Sequence, residues 1–220
     1  MLYVNNLNIS LNFTHIPRTG GRYIHKLLEA NNFRAVEPAR CYYQGRELLH
    51  LDRKRSLNFY SKEALLNNFC IIRNPIDKFL SNSWWLNFFK IPITNINSDY
   101  DLFKFTLDQI EVWGSPSDWH NPDSTIHTNG LRNAWCGWFQ PQYEYIINDS
   151  TLLWKFENNL KDGFVNCINE NFGLDIKNLD NIRYEKINYD SYEKIKLDNK
   201  LLKNITTYYA DDMDLWERLI

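Results

Sequence analysis

The 220-residue sequence lacks the features that mark a membrane-spanning or exported protein. It contains no run of about 18 uninterrupted apolar residues, which argues against a transmembrane helix. Its N-terminus has no basic stretch followed by an apolar segment, so we expect no secretory signal. The sequence therefore predicts a soluble cytoplasmic protein that does not associate with membranes.

Cysteine is sparse and dispersed. The four cysteines, Cys41, Cys70, Cys136 and Cys167, include no C-x-x-C pair. This spacing argues against a zinc site and against a thioredoxin-type redox motif. We expect four unpaired thiols in a reducing compartment and no bound metal.

Aromatic residues, in contrast, are abundant. They make up 15 % of the chain, with 8 Trp, 13 Tyr and 13 Phe, while hydrophobic residues reach 44 %. A chain of this composition buries too much apolar surface to remain disordered, and its length suits one domain. We expect a single folded domain over residues 1–220.

The net charge of −2 conceals an asymmetry. Residues 1–90 hold 13 Lys and Arg against 6 Asp and Glu, and eight of the eleven arginines lie there. Arginine favours bidentate recognition of phosphate and sulfate groups, so the N-terminal half is a candidate anion-binding region. A solvated basic face is the alternative. The overall pI near 6.2 argues against a dedicated nucleic-acid binder.

Two strand-to-helix turns organise this basic half. Alternating apolar residues predict a strand over residues 9–16, and helical spacing predicts a helix over 23–30 after a glycine turn. The apolar run 68–73 predicts a strand buried on both faces, followed by a helix over 76–89. The remaining predictions are helices over 61–67, 101–113, 159–172 and 197–219, strands over 143–147 and 152–156, and a long loop over 114–130.

The first turn reads Phe13-Thr-His-Ile-Pro-Arg-Thr-Gly-Gly-Arg-Tyr23. Backbone N–H groups at a glycine turn before a helix form an anion cradle, to which Arg18 and Arg22 add charge. The sequence is not the nucleoside-triphosphate loop G-x-x-x-x-G-K-[ST], because its first glycine and its Lys-Ser/Thr pair are absent.

The second turn, Arg73-Asn-Pro-Ile-Asp-Lys-Phe-Leu-Ser81, follows the buried strand. Ligands bind at the carboxyl ends of strands in open α/β sheets, so Arg73 and Ser81 can reach one anionic group there.

Together these turns resemble the carbohydrate-type sulfotransferases, the family of the heparan sulfate 2-O-sulfotransferases and many bacterial relatives. Residues 13–24 resemble the 5′-phosphosulfate loop, and Arg73 and Ser81 keep the eight-residue spacing of the 3′-phosphate motif. Supporting similarities are a histidine 23 residues before Arg73, a Pro-Gln segment at 141–142, a W-K-F-E-N segment at 154–158 and the final helix.

The resemblance implies an α/β, P-loop-like three-layer fold with a central, mainly parallel sheet flanked by helices. Residues 9–90 would form the donor-binding core, 91–140 an acceptor-side helix and loop, and 141–220 the remainder of the fold. The donor would be 3′-phosphoadenosine 5′-phosphosulfate (PAPS), whose sulfuryl group passes in line to an acceptor hydroxyl, without a metal. The implied donor ligands are Arg18, Thr19, Gly20, Gly21, Arg22, Tyr23, Arg73 and Ser81.

The family's loop lysine is Arg18 here, and its Thr-Ser pair is Arg22-Tyr23. Arginine keeps the positive charge but does not release a proton, so Arg18 would act as an electrostatic stabiliser. The resemblance favours His50 as the general base, with Glu47 as an alternative. We expect His15 to be structural and His25 to face solvent.

The acceptor side is predicted from the long loop, where His120, His127 and Trp119 are candidate substrate contacts and the acceptor is expected to be a carbohydrate. Two other functions stay open. One is a kinase-like P-loop transferase, and the other is a non-catalytic relative that binds a nucleotide or glycan through an altered loop.

Overall fold

The computed structural model describes residues 1–37, 41–43, 46–88, 98–112, 138–158, 160–178 and 197–219. Its strands are β1 (Leu2–Val4), β2 (Ser10–Thr14), β3 (Arg34–Ala35), β4 (Tyr42–Tyr43), β5 (Arg46–Glu47), β6 (Asn68–Ile72) and β7 (Leu152–Lys155). Its α-helices are α1 (Gly21–Ala30), α2 (Arg53–Phe59), α3 (Pro75–Phe88), α4 (Asp99–Val112), α5 (Asp162–Phe172), α6 (Asn199–Tyr208) and α7 (Ala210–Arg218).

A five-stranded sheet in the order β3-β1-β2-β6-β7 confirms the α/β class. The sheet is mixed rather than mainly parallel: β2, β6 and β7 run parallel, whereas β1 is antiparallel to both of its neighbours. A tight turn at residues 5–9 joins β1 to β2, with Asn5 Oδ1 accepting hydrogen bonds from the N–H groups of Leu7 and Ile9. Strands joined by so short a turn must run antiparallel.

Strand β6 is buried along its whole length, as its apolar run predicts. Phe69 and Ile71 face the cluster that α1 and α5 cover, while Cys70 and Ile72 face the cluster that includes Leu215 of α7. Helices therefore cover both faces of the sheet. The two loops that follow β2 and β6 emerge between these layers.

A separate apolar cluster joins α3, α4 and α6. Phe79, Phe103 and Tyr209 are fully buried in it, and the Tyr209 hydroxyl donates to the carbonyl oxygen of Phe139 at 2.7 Å. The cluster packs α3, which carries Ser81, against the C-terminal part of the chain.

Most predicted elements are confirmed to within a few residues, and the predicted helical segment 197–219 forms two helices, α6 and α7. Two are wrong. Residues 61–67 form only a 3-10 turn at Glu63–Leu65, and residues 143–147 form a 3-10 turn at Gln142–Tyr145 instead of a strand. Helix α2 was not predicted, although Asp52 caps it by accepting the N–H of Arg55 at 2.9 Å.

Within the described ranges, no helix has both the length and the apolar character needed to cross a membrane. The predicted loop at 114–130 lies outside the described residues, and so do its candidate substrate contacts His120, His127 and Trp119.

Candidate anion-binding site at the ends of two parallel strands

The two predicted motifs meet at one edge of the sheet. Strands β2 and β6 pair in parallel with Thr14 beside Cys70, so the loops that follow them lie side by side. Arg73 Nη1 donates to the carbonyl oxygen of Arg18 at 3.0 Å, and Arg18 Nε donates to Ser81 Oγ at 3.1 Å. Arg18 therefore contacts both Arg73 and Ser81, and all three residues are predicted to bind PAPS.

The loop before α1 has the backbone geometry of an anion cradle. Arg18 and Gly20 have φ angles of +69° and +89°, and Thr19 between them is not left-handed. This alternation turns successive N–H groups toward one concavity. The Thr19 hydroxyl closes the loop by donating to the carbonyl oxygen of Ile16 at 2.8 Å.

The N–H groups of the cradle are not used in hydrogen bonds within the described residues, although Thr19 itself is fully buried. Over the described part of the chain, no acceptor is found for the N–H groups of Thr19, Gly20, Gly21 and Arg22, and no side chain caps α1. A helix N-terminus with unsatisfied N–H groups attracts anions, both by hydrogen bonding and through the helix dipole. Arg22 is exposed in this first turn and adds positive charge.

Both glycines of the loop are sterically required. A Cβ atom on Gly20 would lie 2.6 Å from Leu160 Cδ1, at a φ angle that disfavours side chains. A Cβ atom on Gly21 would lie 1.8 Å from His15 Nε2, inside the space of the imidazole. The start of α1 is thus packed directly against His15.

Arg73 is fixed through its backbone by a glutamine. Its N–H donates to Gln142 Oε1 at 3.0 Å, and Gln142 Nε2 donates back to the carbonyl oxygen of Arg73 at 2.7 Å. The Arg73 guanidinium lies over the Phe156 ring, with Cζ 4.9 Å from the ring centroid. Such a contact orients a planar cation while its N–H donors remain at the ring's edge.

The turn between β6 and α3 is closed by two side chains. Asn74 Oδ1 accepts from the N–H groups of Ile76 and Asp77 at 3.0 and 3.2 Å, so Asn74 caps α3 while Pro75 occupies its first turn. Glu157 Oε1 accepts from the N–H of Asn74 at 2.9 Å. Glu157 therefore serves as a structural acceptor for an N–H group of this loop.

His50 lies against the start of the same loop. Its Nδ1 is 3.0 Å from the carbonyl oxygen of His15, and the two rings have centroids 4.5 Å apart. A carbonyl oxygen only accepts hydrogen bonds, so His50 Nδ1 carries the proton. The neutral ring then has its lone pair on Nε2, which is the tautomer a general base at that atom requires.

His15, which is buried, and His25, which is half-buried, form a pair behind the loop. His25 Nε2 and His15 Nδ1 are 3.1 Å apart, and His25 Nδ1 contacts the Tyr3 hydroxyl. Burial lowers the pKa of His25 to about 3 and lowers the pKa of His15 well below its ordinary value, so both rings are neutral at neutral pH. The structural role expected for His15 fits this arrangement.

The expectation that His25 faces solvent is wrong. His25 lies four residues after Gly21 and therefore on the same side of α1, the side against which His15 packs. The four-residue spacing between Gly21 and His25 is the sequence signal that puts His25 on the packed side of α1.

The geometry does not support the predicted contact of Tyr23 with the sulfuryl donor, PAPS. Its ring is buried in the apolar cluster, its hydroxyl donates to Asn178 Oδ1 at 3.2 Å, and its N–H donates to the carbonyl oxygen of Gly20 at 3.0 Å. The hydroxyl and the N–H group of Tyr23 therefore both donate hydrogen bonds within the protein. The Glu47 side chain, the alternative base, lies outside the described residues.

No protein-family model, curated protein sequence or solved structure matches this chain.

Proposed function

We propose that the chain is a PAPS-dependent sulfotransferase that acts on a hydroxyl group, with a carbohydrate as the expected acceptor. The observation that carries this proposal is the meeting of Arg18, Arg73 and Ser81 beside a cradle of N–H groups. One nucleotide with anionic groups at its 5′ and 3′ positions matches a site built from two adjacent anion-binding loops. The strand–loop–helix arrangement at residues 10–30 supports the P-loop-like part of the proposal.

In this proposal each loop has its own anionic partner. The N–H groups of residues 19–22, together with Arg22, bind the 5′-phosphosulfate. Arg73 and Ser81 bind the 3′-phosphate. Charge-assisted hydrogen bonds of this kind are about twice as strong as neutral ones, which suits a doubly anionic ligand.

The residues would act on the sulfuryl transfer by holding charge and moving one proton. His50 Nε2 accepts the proton of the acceptor hydroxyl while the oxygen attacks sulfur in line. Arg18 stabilises the negative charge that develops on the bridging oxygen, because its guanidinium stays protonated throughout. Fixed donors of this kind need no reorganisation during the reaction.

A non-catalytic nucleotide-binding relative is the second candidate. The Tyr23 hydroxyl favours it, because this hydroxyl donates to Asn178, whereas the family that the loop resembles has a hydroxyl ligand of the nucleotide at this position. The kinase-like alternative lacks a G-K-[ST] sequence in the loop. Donor binding without turnover would support the non-catalytic candidate, and magnesium-dependent ATP turnover would support the kinase.

The test is a transfer assay with purified protein, PAPS and a panel of hydroxylated acceptors that includes sugars. Release of adenosine 3′,5′-bisphosphate is followed by chromatography, with and without EDTA. We expect release that depends on an acceptor and persists in EDTA. Hydrolysis of ATP in the presence of magnesium, without any release from PAPS, would contradict the proposal.

A further inference from the structure

The C-terminal helix α7 is connected to the backbone of Arg73 by a chain of hydrogen bonds. Asp212 Oδ2 accepts from the N–H of Gln142 at 2.7 Å, and Asp212 Oδ1 accepts from the N–H of Tyr143 at 2.9 Å. The Gln142 side chain in turn holds both the N–H and the carbonyl of Arg73. A displacement of the Asp212 carboxylate is therefore transmitted to Arg73 through a single intervening residue.

A second connection runs from the next turn of the same helix. Trp216, four residues after Asp212, donates from Nε1 to Glu157 Oε2 at 3.0 Å. The other carboxylate oxygen of Glu157 accepts from the N–H of Asn74. Lys155 fixes this end of α7 as well, because its Nζ donates to the carbonyl oxygen of Leu219 at 2.8 Å and lies 4.0 Å from the Trp216 ring centroid.

We propose that α7 is the positioning element of the anion site: Asp212 acts through Gln142, and Trp216 acts through Glu157, to hold Arg73 and Asn74 where Arg73 can bind the 3′-phosphate. This inference rests on the proposed function for the identity of the anion. The contacts themselves are independent of that identity. Neither Asp212 nor Trp216 contacts the cradle, so both are positioning residues.

The chemistry of Asp212 gives this connection a pH dependence. The carboxylate is fully buried, and burial raises the pKa of Asp212 to about 6. The groups that face it are the Gln142 and Tyr143 N–H groups, Lys78 from α3, Glu144 from the 3-10 turn, and Tyr209. Protonation converts one carboxylate oxygen into a donor, so one of the two N–H groups then loses its acceptor.

The first experiment needs no ligand. Amide hydrogen exchange is measured at Arg73 and Asn74 in the wild type and in Asp212→Asn, Trp216→Phe and Asp211→Asn. Asp211 is an exposed neighbour in α7 and serves as the matched control. We expect faster exchange at Arg73 in Asp212→Asn, faster exchange at Asn74 in Trp216→Phe, and wild-type rates in Asp211→Asn. Unchanged exchange at both amides in the first two variants would overturn the inference.

The second experiment measures the Kd of adenosine 3′,5′-bisphosphate by calorimetry between pH 5 and 8. We expect Asp212→Asn to bind roughly 10- to 150-fold more weakly than wild type at pH 7.5, which is the range for one lost charged hydrogen bond. The ratio of the two Kd values should approach 1 near pH 5, because the wild-type carboxyl is then protonated too. Taking the ratio cancels the titration of the nucleotide's own phosphates.

The controls separate the two proposals. Asp211→Asn should keep a Kd ratio near 1 throughout. A ratio for Asp212→Asn that stays at 1, or that is the same at pH 5 and 7.5, would overturn the inference while wild-type binding leaves the proposed function standing. If the wild type fails to bind, the proposed function is overturned, and the exchange pattern still decides whether α7 positions Arg73. If Asp212→Asn does not fold, Trp216→Phe supplies both readouts, with weaker binding expected.

Discussion

Arg18 and Ser81 are joined by a hydrogen bond of 3.1 Å from Nε to Oγ, although 63 positions separate them in the chain. Ser81 is fully buried, and Arg18 adopts a left-handed backbone conformation that costs a non-glycine residue of order 1 kcal/mol. The contact therefore links the strained residue of the cradle to the helix that follows the neighbouring strand. It is the physical basis for treating the two loops as one site.

The Ser81 hydroxyl gives the first prediction. Ser81→Ala should weaken the binding of adenosine 3′,5′-bisphosphate by about 0.5–1.5 kcal/mol, less than the loss of Arg73, because the donor that is lost to the 3′-phosphate is an uncharged hydroxyl. Ser83→Ala is the matched control: Ser83 is equally buried in α3, but its hydroxyl donates to the carbonyl oxygen of Phe79 within the helix. Calorimetry should show wild-type affinity for that control, and an equal loss in both variants would argue against a specific role for Ser81.

The packing of Gly21 against His15 gives a second prediction. Gly21→Ala places a methyl group where the imidazole lies, so it should lower the free energy of unfolding by roughly 1–3 kcal/mol, the usual cost of overpacking. Gly163→Ala is the control, because its Cβ would lie 3.2 Å from the Trp154 ring and inside α5. Denaturant unfolding should show a change below about 1 kcal/mol for that variant, since alanine favours the helix. Equal stability of the wild type and Gly21→Ala would contradict the described packing.

A third prediction concerns His50. If its Nε2 accepts the acceptor's proton, His50→Ala should lower turnover by about 10²–10⁴-fold and barely change donor affinity. The comparison variant is His25→Gln, since His25 lies behind the loop and contacts His15 and Tyr3. Its turnover should fall much less. Turnover of His50→Ala at the wild-type rate would shift the base to Glu47 or to a histidine of the long loop.

Arg18 gives a fourth prediction, from charge alone. Arg18→Lys introduces the loop lysine of the sulfotransferases that this loop resembles, and it keeps the positive charge. The rate of sulfuryl transfer should therefore be retained or raised. Arg18→Ala should lose rate, because the charge that develops on the bridging oxygen has no cation to meet it. Steady-state transfer assays distinguish the two variants. An Arg18→Ala variant with the wild-type rate would remove Arg18 from the proposed mechanism.

The sequence encodes the two loops more clearly than it encodes the sheet. Glycines 20 and 21, the apolar strand at 68–72 and the Arg-Asn-Pro turn all depend on local backbone chemistry, which a short stretch of sequence encodes. The antiparallel strand β1 has three residues, too few for a periodic pattern, and the mixed sheet was missed with it. The turn at Gln142–Tyr145 was predicted as a strand because its aromatic residues suit either structure.

The supports of Arg73 could not be predicted, because they depend on contacts between distant segments. The acidic run 211–214 is typical of a solvated helix face, but Asp212 is fully buried and accepts hydrogen bonds from residues about 70 positions earlier. Only the fold brings α7 to the end of β6. The Pro141-Gln142 segment stood out by resemblance, yet nothing in its letters assigned Gln142 to the backbone of Arg73.

The most direct test of the central claim is the dependence of nucleotide binding on the 3′-phosphate. Calorimetry should compare adenosine 3′,5′-bisphosphate with adenosine 5′-phosphate on the wild type, on Arg73→Ala and on Arg34→Ala, an exposed arginine at the sheet edge. We predict that the wild type and Arg34→Ala prefer the bisphosphate, and that Arg73→Ala loses roughly 1.5–3 kcal/mol of that preference. Equal affinity of the wild type for the two nucleotides, or an unchanged preference in Arg73→Ala, would contradict the account.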